Sequence, residues 1–126
     1  MKKEKVFYWP QRGKSFRYAF GGIRTFFRSE HNAVIHLLAT LLVVFLAFIF
    51  PVSRMEAIAL VLATGFVWAT ELFNTAIEKI LDFITTERHP SIKFIKDVSA
   101  AAVLVAALSA LCTGALVFIP KILLIW

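Results

Sequence analysis

The chain has 126 residues, of which 60% are hydrophobic, including 13 Phe, and its formal net charge is +6. Soluble domains are nearer half apolar, so a mean hydropathy of +0.78 points to a membrane protein and leaves no room for a separate soluble domain. A single cysteine, Cys112, excludes a disulfide framework and a metal–thiolate set, and as a small hydrophobe in an apolar run it is expected to be buried.

Eight of the 14 Lys and Arg precede residue 32. No signal-peptide core or cleavage site accompanies them, and no nucleic-acid recognition motif does either, so nucleic acid is not expected as a partner. Residues 1–31 read as a cytoplasmic, interfacial segment. Residues 1–12, with Phe7, Tyr8, Trp9 and the basic Lys2, Lys3 and Lys5, form a lead-in broken by Pro10. Over 13–30, Phe16, Phe20, Ile23 and Phe27 recur at i, i+4, i+7 and i+11, opposite Lys14, Arg17, Arg24 and Arg28. That is the pattern of a helix lying in the headgroup layer, which Gly21-Gly22 weakens and lets bend or approach another backbone.

Span one is expected over about 33–50, followed by a turn at 51–56. His36 reads as a packing or interfacial residue near its start. Span two is expected over 57–80, a polar connection over 83–96, and an Ala-rich span three over 98–119 that stops at Pro120. Basic residues concentrate in the N-terminal segment and the second connection, which places both in the cytoplasm. The fold class is thus an all-α membrane protein: three transmembrane helices after an amphipathic interfacial helix, one domain over 1–126, assembling as a homo-oligomeric bundle.

The far end of span two carries the chemistry. Glu71, Asn74, Glu78 and Asp82 lie at i, i+3, i+7 and i+11, on one stripe of a helix leaving the bilayer. An acid near the centre of a spanning helix costs roughly 2.5–3.5 kcal/mol on insertion scales, less toward the interface, so Glu71 marks a functional site. Glu30 and Asn32, and Lys96 and Asp97, converge on the same surface. Magnesium takes one or two carboxylates plus phosphate oxygens, which Glu30 and Glu78 can provide. A lysine such as Lys96 offsets phosphate charge, and a carboxylate can accept the proton of an attacking alcohol. There is no Walker A sequence and no kinase-type Gly-rich loop. The three histidines lack zinc-site spacing.

The run Glu71-Leu-Phe-Asn-Thr-Ala-Ile-Glu-Lys-Ile-Leu-Asp82, then Glu87-Arg-His-Pro90, then Lys96-Asp97, resembles the prokaryotic diacylglycerol kinase family, small three-span lipid kinases unrelated to soluble kinases. Lys14-Ser-Phe-Arg-Tyr-Ala-Phe-Gly-Gly-Ile and Arg28-Ser-Glu-His-Asn32 match its N-terminal motif, and the resemblance covers about 13–120. It implies Glu71 as general base for the lipid hydroxyl and Glu30 and Glu78 as magnesium ligands that also contact ATP. Tyr18, Glu87, Arg88, His89, Lys96 and Asp97 match nucleotide-contacting positions; Asn74 and Asp82 match other polar positions of the site. The chain departs from the family where Gln11, with Arg12 beside it, replaces a nucleotide-contacting arginine. The resemblance further implies a homotrimer with shared sites in a bacterial inner membrane. Ser29-Glu-His-Asn32 to His36, Glu87-Arg-His-Pro90 and Phe118-Ile-Pro-Lys121 are closer to the undecaprenol-kinase branch than to the members that phosphorylate diacylglycerol. A proton or cation transporter subunit is the competing reading, against which stands the near absence of polar residues in spans one and three; a purely structural assembly protein leaves the cost of Glu71 unexplained.

Overall fold

The computed structural model describes residues 9–125, all-helical, with no strand among them: α1 (Trp9–Ser29), α2 (His31–Ile49), α3 (Arg54–Ile84) and α4 (Pro90–Leu123). Lys2, Lys3, Lys5, Phe7 and Tyr8 lie outside the described residues. The helices α2, α3 and α4 are each long and apolar enough to cross a membrane.

Helix α1 starts earlier than the sequence pattern predicts. Pro10 falls in its first turn, where a missing backbone N–H has no helical acceptor to lose, so it does not break the segment. Gly21 and Gly22 stay helical, and a Cβ on either would meet nothing within 4 Å, so no second backbone approaches them. Phe16 and Phe20, 69% and 70% exposed, leave the first half of the apolar face of α1 bare of protein, as suits a helix laid against lipid, while Phe27 at its end packs on Trp68. The side chain that α1 does bury is Phe26, beside that face, against Phe27 and Trp68 of α3.

A single extended residue, Glu30 (φ −115°, ψ 118°), separates α1 from α2. Its side chain makes no capping bond, which leaves the carboxylate for other partners. At the opposite end of α2 the chain turns into α3 through a capping box: Glu56 N–H donates to Ser53 Oγ at 3.2 Å and Ser53 N–H donates to Glu56 Oε2 at 2.8 Å. Lys121 Nζ then donates to both oxygens of Glu56, at 2.8 and 3.1 Å, tying the last turn of α4 to the first turn of α3.

The second connection is shorter than its polarity suggests. Only Thr85–His89 are non-helical, so Lys93, Lys96 and Asp97 stand on α4 rather than in a loop. Pro90 pre-sets the first helical position, and His89 Nδ1 accepts from Ser91 N–H at 3.1 Å. Pro120 does not end α4, which continues to Leu123; this close to the terminus a proline forfeits one backbone bond and little else. With 31 and 34 residues, α3 and α4 run to roughly 45–50 Å, against a hydrocarbon core of roughly 30 Å. Both helices are therefore longer than an untilted crossing of that core requires.

Helices α3 and α4 pack along their length, and α2 leans on α3 more lightly. A small core of Leu60, Val117 and Phe118 sits near the capping-box end. Cys112 is exposed, contrary to the expectation of burial, because three helices give α4 only one covered face. The outward faces of the spans carry Leu, Val and Phe that meet lipid or another chain.

Candidate active site

Helix α3 presents the acidic stripe to two neighbours at different depths. Deepest is Glu71, 2% exposed, with His36 Nε2 of α2 at 3.5 Å from its Oε2. One turn on, Asn74 is buried against α4, where the Ser99 hydroxyl donates to its Oδ1 at 2.7 Å. That bond occupies the amide oxygen and leaves the amide N–H groups as donors. Asn32, His36, Glu71 and Asn74 line a cavity of about 300 Å³ whose remaining wall includes Ala100, Val103 and Leu104. His36 also borders an apolar groove of about 440 Å³ between α2, α3 and α4, with Leu42, Leu46, Val67 and Phe118 in its walls. The Glu71 carboxylate therefore lines a largely apolar cavity that shares the wall residues His36 and Ala107 with the apolar groove.

The level of His36 and Glu71 is set one turn earlier. Trp68 Nε1 donates to Thr40 Oγ1 at 3.0 Å, and the Thr40 hydroxyl donates to the His36 carbonyl at 2.7 Å. Trp68 carries Phe26 and Phe27 at ring-centroid distances of 6.3 and 5.3 Å, so the end of α1 docks on the same spot.

Two turns beyond Glu71 on α3 lies Glu78, and Glu30 stands at the α1–α2 junction. Lys79 Nζ lies 3.6 Å from Glu30 Oε1, which brings the α1–α2 junction beside the Glu78 turn of α3; Glu30 and Glu78 are both half-buried. Among the described residues no group of three or more His, Cys, Asp and Glu could cage a metal. An ion such as magnesium keeps waters and takes phosphate oxygens from its substrate, so it needs no such cage and takes only one or two protein carboxylates.

Farther out, Lys96 Nζ donates to Asp82 Oδ1 at 2.6 Å, and Lys93 pairs with Asp97 one turn along α4. Lys96 and Asp97, adjacent in sequence, thus pair with different partners. A cleft of about 860 Å³ opens here, lined by Asp82, Glu87, Arg88, His89, Lys96 and Asp97 among others. Five of the eight nucleotide-contacting positions that the family resemblance implies, with Asp82, meet in this one cleft, and Glu30 and Glu78 are not in its walls. Tyr18, 67% exposed on α1, lines neither cavity. Arg12 is exposed on α1, and the side chain of Gln11 lies outside the described residues.

Several partners were not legible in the sequence. Glu30 pairs with Lys79 rather than with its neighbours Arg28 or His31. Ser99 and His36 belong to the site although neither stands out by spacing. His36 obeys the rule that singles out Glu71, an ionisable side chain within an apolar span, and that signal could have found it. Ser99 is one small polar residue in an Ala-rich run, for which no local signal exists. The groove beyond the cavity is almost wholly apolar, which opposes a polar path through the bilayer.

Residues 17–118 match the family model described as prokaryotic diacylglycerol kinase. The undecaprenol kinase of Bacillus subtilis (strain 168) is 38% identical over 109 residues, 86% of this chain and 89% of that protein. A diacylglycerol kinase of Synechocystis sp. is 33% identical over 110 residues, 86% of this chain and 63% of that protein. A diacylglycerol kinase of Pseudomonas aeruginosa is 34% identical over 89 residues, 71% of this chain and 72% of that protein.

Proposed function

Because this chain belongs to the prokaryotic diacylglycerol kinase family, we propose that it phosphorylates undecaprenol with ATP at the cytoplasmic face of a bacterial inner membrane. Lipid kinase activity and ATP as phosphoryl donor come with the family; the acceptor, the metal and the residue roles are our reading. The observation that carries it is the placement of Glu71: a carboxylate 2% exposed, in a cavity that shares the wall residues His36 and Ala107 with an apolar groove. A prenyl chain lies in the groove and brings its terminal hydroxyl to Glu71. The hydroxyl oxygen attacks the γ-phosphorus, the bond from that phosphorus to the β–γ bridging oxygen breaks, and ADP leaves. Glu71 accepts the hydroxyl proton as the new O–P bond forms. Asn74, its oxygen held by Ser99, lines the same cavity and has its amide N–H groups left as donors. Arg88, His89 and Lys96 in the outer cleft receive the polyphosphate, and Lys96 exchanges Asp82 for a phosphate oxygen. Glu30 and Glu78 would hold magnesium, which would supply charge compensation on the phosphate oxygens.

The orientation rests on the basic N-terminal segment, which favours the cytoplasm. The similarity to the Bacillus subtilis undecaprenol kinase spans most of both chains and supports the prenol over diacylglycerol, the second reading. Radiolabelled ATP with undecaprenol and diacylglycerol offered separately in micelles tests this. Preferential labelling of undecaprenol is expected. Preferential labelling of diacylglycerol reverses the acceptor assignment, and labelling of neither, by folded protein, removes it.

The family resemblance implies a trimer, and the position of Tyr18 away from the cleft supports an assembly in which one chain's α1 completes its neighbour's site. Mixing Glu71→Gln with Glu30→Gln chains tests this: recovered activity is expected, and its absence counts against shared sites.

A further inference from the structure

His36 is unabsorbed by that mechanism. Its Nε2 faces Glu71 Oε2 at 3.5 Å, and among the described residues no other side chain stands within ion-pair distance of this carboxylate. The contact is secluded, with the two side chains 16% and 2% exposed. A buried carboxylate without a partner is costly, so a facing N–H has value before any substrate arrives. The ring itself is held. Trp68 stands edge-on to it at 6.0 Å and 69°, and the backbone of His36 is fixed by the Thr40 hydroxyl, itself bonded to Trp68. Trp68 precedes Glu71 by three residues on α3, so one face of one helix both registers α2 and carries the carboxylate. His36 and Glu71 also line the same cavity.

We propose that His36 is a positioning residue for Glu71: its Nε2 engages one carboxylate oxygen and thereby directs the other to the lipid hydroxyl. This rests on Glu71 being the base. The spacing of 3.5 Å is longer than a formed hydrogen bond, and such contacts tighten when the reacting complex assembles. The imidazole therefore acts on turnover rather than on substrate affinity.

The geometry supplies its own test, because the facing atom is Nε2. A glutamine places its amide nitrogen near the position of Nε2, whereas an asparagine reaches only the position of Nδ1. His36→Gln should keep kcat within about threefold of wild type. His36→Asn and His36→Leu should each lose about tenfold or more in kcat, with KM for lipid and for ATP within about twofold. Wild-type kcat in His36→Leu, equal losses in the Gln and Asn variants, or a loss confined to KM would each overturn the proposal. Thermal melts in detergent identify folded variants; if His36→Leu does not fold, the contrast between Gln and Asn decides. Glu71→Gln assayed alongside separates the two inferences. Turnover retained there removes Glu71 as base, whereas an inactive Glu71→Gln beside a fully active His36→Leu removes only the role of His36.

Discussion

The Ser99 hydroxyl donates to Asn74 Oδ1 at 2.7 Å, a buried bond between α4 and the acidic stripe of α3. It joins the helix that carries the carboxylates to the helix that carries the lysines, at the depth where the cavity begins. Ser99→Ala leaves the Asn74 oxygen unpartnered in an apolar contact. Bonds of this kind between membrane helices are worth about 0.6 kcal/mol on average and up to about 1.7. A loss of about 1 kcal/mol in detergent unfolding is expected, with reduced turnover because the amide is no longer oriented. Unchanged stability and turnover would show that the bond does not matter.

Glu71→Gln keeps the shape of the side chain and removes its basicity. General-base catalysis contributes about 10²–10⁴-fold, and a drop of that size in kcat is expected, with fold and nucleotide affinity largely intact. Single-turnover phosphotransfer and equilibrium nucleotide binding on the same preparation separate the two effects.

Glu30→Gln and Glu78→Gln should each raise the magnesium concentration for half-maximal activity, by about tenfold or more, with little effect on stability. Magnesium titrations of both variants check this. An unchanged magnesium dependence in both would disconnect these carboxylates from the metal.

Lys96 and Asp82 lie in the outer cleft, their side chains 38% and 59% exposed, so their ion pair adds little to folding. Lys96→Ala should therefore leave the melting temperature nearly unchanged while lowering kcat/KM for ATP by about tenfold or more. Asp82→Asn frees the lysine and should have the smaller effect. Equal losses of stability and activity in Lys96→Ala would make the pair structural.

Phe26 is 4% exposed and anchors α1 on Trp68. Phe26→Ala opens a void at the α1–α3 contact, next to Glu30. Faster hydrogen exchange over the end of α1, together with a raised magnesium requirement, is the expected outcome. Exchange confined to wild-type rates would mean that α1 is held elsewhere.

The sequence alone determined which segments are long and apolar enough to cross a membrane and which face of span two carries the acids. Both follow from periodicity within one helix: apolar runs of bilayer length, and Glu71, Asn74, Glu78 and Asp82 on one stripe. Polarity misled where helix and loop share it. Residues 90–96, with Ser91, Lys93 and Lys96, carry the polarity of a connection, and they are nonetheless helical. The meetings between helices were decided by tertiary structure alone. His36 faces Glu71, Ser99 faces Asn74, Lys79 faces Glu30 and Lys96 reaches Asp82 because of the rotation and vertical offset at which the helices pack. Rotation and offset come from side-chain interlocking such as Trp68 against Phe26, Phe27 and Thr40, which no repeat within a single helix encodes.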